Sequence, residues 1–127
     1  MRPEIEAHLR RGAECLQAAQ VMLDSNLPSD SVSRSYYAMF HAATAVLMKV
    51  GIERSSHGAL IAAFSQFLVK PGLIDKRFHT LLRKAYEARS GSDYLPSAGD
   101  TLERGKGMLE GARQFVAACR ELLASEP

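Results

Sequence analysis

One stretch, SVSRSYYAMFHAATAVLMKVG from Ser31 to Gly51, constrains this chain more than any other, because it is apolar on two sides of a single helix. An α-helix turns roughly 100° per residue. Tyr36, Phe40, Ala43, Leu47 and Val50 follow the i, i+4, i+7 spacing of a core stripe. Arg34 and His41 project at roughly 140–160° from the centre of that stripe, away from the core. Their neighbours on the far side should be charged if water were there. They are Ala38, Ala42, Ala45 and Met48 instead. A small apolar face carrying one Arg and one His reads as a face that another body covers.

The flanking segments read as further helices. A first helix is expected from about Pro3 to Asp24, with Ile5, Leu9, Ala13, Leu16, Ala19 and Leu23 at three-to-four spacing and proline suited to its first turn. SNLPSD breaks it. The second helix starts near Pro28 or Ser29 and stops at Gly51, a residue favoured just past helix ends. Ser55 or Ser56 can cap a third helix, which runs through Leu68 to Pro71-Gly72. The fourth is expected over about Asp75 to Arg89, followed by the loop SGSDYLPS, and the fifth over about Ala98 to Ala124. Gly105, Gly107 and Gly111 inside the last helix mark either weak exposed turns or close approach of another backbone. The expected fold is all-α: an antiparallel up-and-down four-helix bundle with an additional short helix, one domain covering residues 1–127.

Composition narrows the function. Sixteen basic and 14 acidic residues leave a net charge of +2, too balanced to argue nucleic-acid binding without a local patch. Cys15 and Cys119 have no metal-ligand spacing with the histidines, and buried free thiols are the expected state. MRPEIEAHLRRGAE lacks the apolar run of a signal peptide, and no stretch approaches the roughly 20 apolar residues of a membrane span. The chain reads as cytoplasmic. Glu-x-x-His pairs and the P-loop and dinucleotide glycine fingerprints are absent. Nothing in the sequence calls for a metal or a cofactor.

The chemistry on offer is that of Arg34 and His41. Histidine moves protons near neutral pH, and the fork of arginine matches a phosphate. Together they suit RNA cleavage, in which a ribose 2′-hydroxyl attacks its own phosphate. Seven helical residues span about 10.5 Å, so one small reacting group is hard to hold between both side chains of one helix. Two such helices antiparallel across a two-fold axis bring each Arg to the other's His, with Ala38, Ala42 and Ala45 allowing the approach. An interface hydrogen bond or a solvated face is the plainer use of such a pair. Tyr37 stands toward the Arg34 side, where it packs or stacks on a base. Lys76, Arg77, Arg83, Lys84 and Arg89 make a basic stripe on the fourth helix. Arg89, Asp93 and Tyr94 are candidate binding residues in and after it.

SRSYYAMFHAATAVLMKVGI, SSHGALIAAFSQFLVKPGLI and YEARSGSDY in combination resemble the HEPN domain, in its small stand-alone prokaryotic form, over about Ser29 to Leu123. The resemblance implies a helical bundle that dimerises. It also implies an Arg-to-His motif, here Arg34 and His41, that cleaves RNA without metal at a composite dimer site. It further implies pairing with a minimal nucleotidyltransferase as toxin and antitoxin. The alternative it leaves open is a non-catalytic accessory module that binds a nucleotide or the partner.

Overall fold

In the computed structural model, residues 2–94 and 100–125 are described, the side chains of residues 91–94 excepted. Five helices follow one another: α1 (Pro3–Asp24), α2 (Pro28–Lys49), α3 (His57–Phe64), α4 (Lys76–Tyr94) and α5 (Leu102–Ala124). A π-helical turn, Ser65–Val69, prolongs α3. No strand occurs among the described residues. The chain is the all-α helical bundle its periodicity requires.

The punctuation acts as its chemistry dictates. Pro3 and Pro28 open their helices. Asn26, at φ 62°, takes the left-handed conformation that asparagine tolerates and reverses the chain within three residues. Gly51, at φ 80°, closes α2: Ile52 N–H bonds Leu47 O at 2.8 Å and Gly51 N–H bonds Met48 O at 3.0 Å, a Schellman ending. The Oγ atoms of Ser56 and Thr101 accept the N–H groups of Ala59 and Arg104, capping α3 and α5.

Cross-links between helices fix their directions. Ser31 Oγ donates to Ala19 O at 2.8 Å, and His8 meets His41, so α1 and α2 are antiparallel. Arg113 reaches Gln20 and Arg120 reaches Leu9 O, setting α5 against α1. Arg77 bonds Gln114, setting α4 against α5. The result is up-down-up-down. α2 is its centre, packed on α1, α4 and α5, and Tyr36, Phe64 and Phe115 are its largest fully buried side chains. Burying each such side chain contributes roughly 1.5–3 kcal/mol.

The central position of α2 corrects the sequence reading. Ala38, Ala42 and Ala45 do not await a second copy; they are fully buried within one chain. The body that covers them is α1. Gly12 sits at the crossing, where a Cβ would stand 3.3 Å from Ala38 O and 3.7 Å from the Cβ of His41. Small residues on both helices bring the backbones together. Phe40, expected in the core stripe, is only half-buried, and Val50 is exposed. Between its two ends, α2 leaves uncovered only a narrow strip: Ser33, Arg34, Tyr37, Phe40, His41 and Thr44.

Two boundaries also differ. α4 continues to Tyr94, because Ser90, Gly91 and Ser92 each cost a helix no more than about 1 kcal/mol and no proline intervenes before Pro96. Asp93 and Tyr94 therefore end a helix instead of lying in a loop, and their side chains lie outside the described residues. α5 begins at Leu102; positions 98 and 99 are outside the described residues. Its glycines divide. A Cβ at Gly105 would stand 2.8 Å from Leu23 Cδ2, and one at Gly111 3.1 Å from Leu81 Cδ2, whereas Gly107 faces open space. Cys15 and Cys119 are buried free thiols.

Candidate functional site

The uncovered strip of α2 gathers the residues with chemistry to offer. Arg34 is exposed, and among the described residues no hydrogen bond or ion pair holds it. His41, two turns on, is half-buried against α1. Its Nδ1 stands 3.0 Å from Nδ1 of His8, with the ring centroids 5.3 Å apart. Burial first, then the nearby His8 and Arg11, hold the pKa of His41 below its usual value. At neutral pH the ring is therefore uncharged and available as a base. Ser35, the residue after Arg34, is fully buried and faces away from the strip.

Beside the strip lies an aromatic enclosure built from α2, α3 and α4. The ring of Phe40 lies 6.0 Å from His41 on one side and 4.9 Å from His57 on the other. His57, in the first turn of α3, stacks on Tyr86 at 5.4 Å and 16°, with Tyr37 edge-on at 6.1 Å. The Tyr36 hydroxyl shares a hydrogen bond with His57 Nδ1. Burial raises the pKa of Tyr36, so the phenol keeps its proton within this hydrogen bond. Burial and then the charge of Arg89 lower the pKa of His57. The Arg89 guanidinium lies 5.3 Å over the Tyr37 ring, within cation–π range.

The structure thus unites Tyr37 and Arg89 with the strip that carries Arg34 and His41. The basic stripe of α4 separates. Arg83 pairs with Glu87 at 3.2 Å, and Lys76, Arg77 and Lys84 line a different cleft of about 680 Å³ between α4, α5 and the π-turn. Among the described residues no three His, Cys, Asp or Glu side chains converge as metal ligands. Sequence reasoning missed His8 and the Tyr36–His57 pair. The available signal for His8 was its place beside Leu9 on the buried stripe of α1, one turn before Gly12. For His57 it was the position at a capped helix start, where a ring is held still.

The sequence profile of the HEPN domain family matches residues 5–122. This chain belongs to the HEPN domain family. It is 30% identical over 123 residues to a protein of Methanocaldococcus jannaschii named "Putative toxin", covering 97% of this chain and 91% of that one. A Thermotoga maritima protein named "UPF0332 protein" is 31% identical over 119 residues, 94% of this chain and 90% of its own length. Another of that name, from Gloeobacter violaceus, is 38% identical over 94 residues, 74% and 75% of the two chains. As in the sequence, no described helix of this HEPN chain is long and apolar enough to cross a membrane.

Proposed function

We propose that this HEPN protein is a metal-independent endoribonuclease of the toxin kind, acting as a homodimer with Arg34 and His41 as its catalytic pair. The observation that carries this reading is the shared strip. On a helix otherwise enclosed by its own chain, a cation without a partner among the described residues and an uncharged imidazole keep access to the outside. Two relatives named as toxins agree with it.

Within one chain the pair is about 10.5 Å apart along the helix. The midpoint between positions 34 and 41 falls at Tyr37 and Ala38. A two-fold axis there lays two strips antiparallel and sets each copy's Arg34 beside the other copy's His41. The exposed edges of Tyr37 and Phe40 then form the contact, in place of the buried alanines. RNA enters with a phosphate on Arg34. His41 Nε2 takes the proton of the ribose 2′-hydroxyl. The 2′-oxygen attacks phosphorus, the bond to the 5′-oxygen breaks, and that oxygen leaves with a proton returned from an imidazolium. Products are a 2′,3′-cyclic phosphate and a 5′-hydroxyl. Arg34 stabilises the charge that builds on the phosphoryl oxygens. A minimal nucleotidyltransferase is the proposed antitoxin partner.

The test is incubation of the purified protein with single-stranded and structured RNA in excess EDTA, followed by analysis of the product ends. Cyclic-phosphate ends are expected. No cleavage by a folded dimer refutes the reading.

The cleft lined by Lys76, Arg77 and Lys84 favours a second reading, an accessory module that binds a nucleotide away from Arg34 and His41. Titration with ATP and GTP separates the two. Tight binding lost in Lys84→Ala and kept in His41→Ala supports the module.

A further inference from the structure

The hydrogen bond between His8 and His41 has no role in the reaction just described, yet its geometry is specific. Two Nδ1 atoms at 3.0 Å are at hydrogen-bonding distance. Such a bond needs a proton on one nitrogen and a lone pair on the other. A neutral imidazole carries one proton, so the two rings hold opposite tautomers. One carries a bare Nε2, and the other an Nε2–H.

The direction follows from the nuclease reading, which assigns the base to His41. From α1 it faces His8 and Arg11, and Arg11 is tied to Glu14 at 3.2 Å. Its own helix offers Arg34 two turns away. From α3, His57 lies on the far side of the Phe40 ring. Among the described residues no carboxylate bonds His41. When Nε2 gains a proton, both nitrogens of the ring are donors, and the acceptor at hand for Nδ1–H is Nδ1 of His8.

We infer that His8 is the positioning residue of this site: its Nδ1 accepts the Nδ1–H of His41 and holds that ring with Nε2 bare. A carboxylate commonly orients a working histidine. A neutral imidazole orients it without placing a negative charge beside the phosphate that Arg34 must attract. Both the catalytic role and the direction of the bond rest on the nuclease reading, in which His41 is the base.

Nitrogen-15 NMR of the full chain with labelled histidines tests the assignment directly. The expected result is His41 as the Nδ1–H tautomer and His8 as the Nε2–H tautomer at pH 7.5. Both rings in the Nε2–H form overturn it. Kinetics test the role. His8→Asn keeps an acceptor oxygen near the place of Nδ1, and His8→Leu removes it. The Asn variant should keep most of the cleavage rate, while the Leu variant loses about 10–100-fold, the usual cost of removing an orienting partner. The acidic limb of the Leu variant's pH profile should lie below that of the Asn variant. Equal rates and equal profiles, with melting temperatures unchanged, overturn the role. A chain that cuts no RNA overturns the nuclease reading instead, and the nitrogen shifts alone then decide the tautomers.

Discussion

The two sides of α2 meet opposite fates. Ala38, Ala42 and Ala45 are sealed against α1 and the core, with Gly12 at the crossing. Tyr37 and Phe40, far more hydrophobic by area, remain half-exposed beside Arg34 and His41. Size decides the difference. A helix can lie close only where nothing projects, so small residues mark the seam and bulky rings are left along its edge. The edge of a tight seam is a good place for chemistry. It is rigid, and a side chain from the neighbouring helix, here His8, can reach across to hold a reacting group.

The largest effect should come from the uncovered side. Arg34→Ala and His41→Ala should each lower cleavage by about 10²–10⁴-fold. Mixing the two inactive dimers should restore up to about a quarter of the activity, because a hybrid dimer contains one complete site. Failure to restore any activity after subunit exchange breaks the composite arrangement.

The buried side should answer in stability. Gly12→Leu forces a side chain toward Ala38 O, where a Cβ already stands at 3.3 Å. The expected loss is about 1–3 kcal/mol in urea unfolding, the range for overpacked sites. Unchanged unfolding would mean that α1 does not seal α2 at this point.

A smaller loss is expected between these sides. Tyr36→Phe removes the hydroxyl that bonds His57 and should cost about 1 kcal/mol, typical of one hydrogen bond. A variant as stable as the wild type would show that His57 is held by ring packing alone.

The mildest effect is that of pH. His41, His57 and His79 all have pKa values lowered chiefly by burial. In the unfolded chain they titrate near about 6.5. Below that pH the unfolded state binds more protons, so the stability these groups supply is full above it and is lost as pH falls toward the folded values. Melting temperature should therefore be lower at pH 5 than at pH 7.5. Equal or higher melting at pH 5 contradicts the burial of these rings.

Much of this was legible in the sequence. Pro3, Pro28, Gly51 and Ser56 announce helix ends through local chemistry, and the structure ends helices there. Arg34 and His41 lie off the core stripe by simple geometry. The centre of α2 was misread because alanine is too weakly apolar to reveal that a helix is enclosed on several sides. Phe40 and Val50 looked like core on hydrophobicity alone. The seam becomes readable only when Gly12 is set opposite Ala38, which requires knowing the partner helix. The His8–His41 and Tyr36–His57 bonds join residues 33 and 21 positions apart, and no local pattern encodes them.

His41 and Ala42 are neighbours in sequence, about 100° apart on α2, one in the open strip and the other in the sealed seam, so RNA cleavage rate and melting temperature for His41→Ala and Ala42→Leu, measured side by side, test the central claim most directly. The account predicts that His41→Ala loses cleavage at wild-type melting temperature, while Ala42→Leu melts lower and, below its transition, still cleaves RNA. Cleavage retained by His41→Ala, or a wild-type melting temperature in Ala42→Leu, would contradict it.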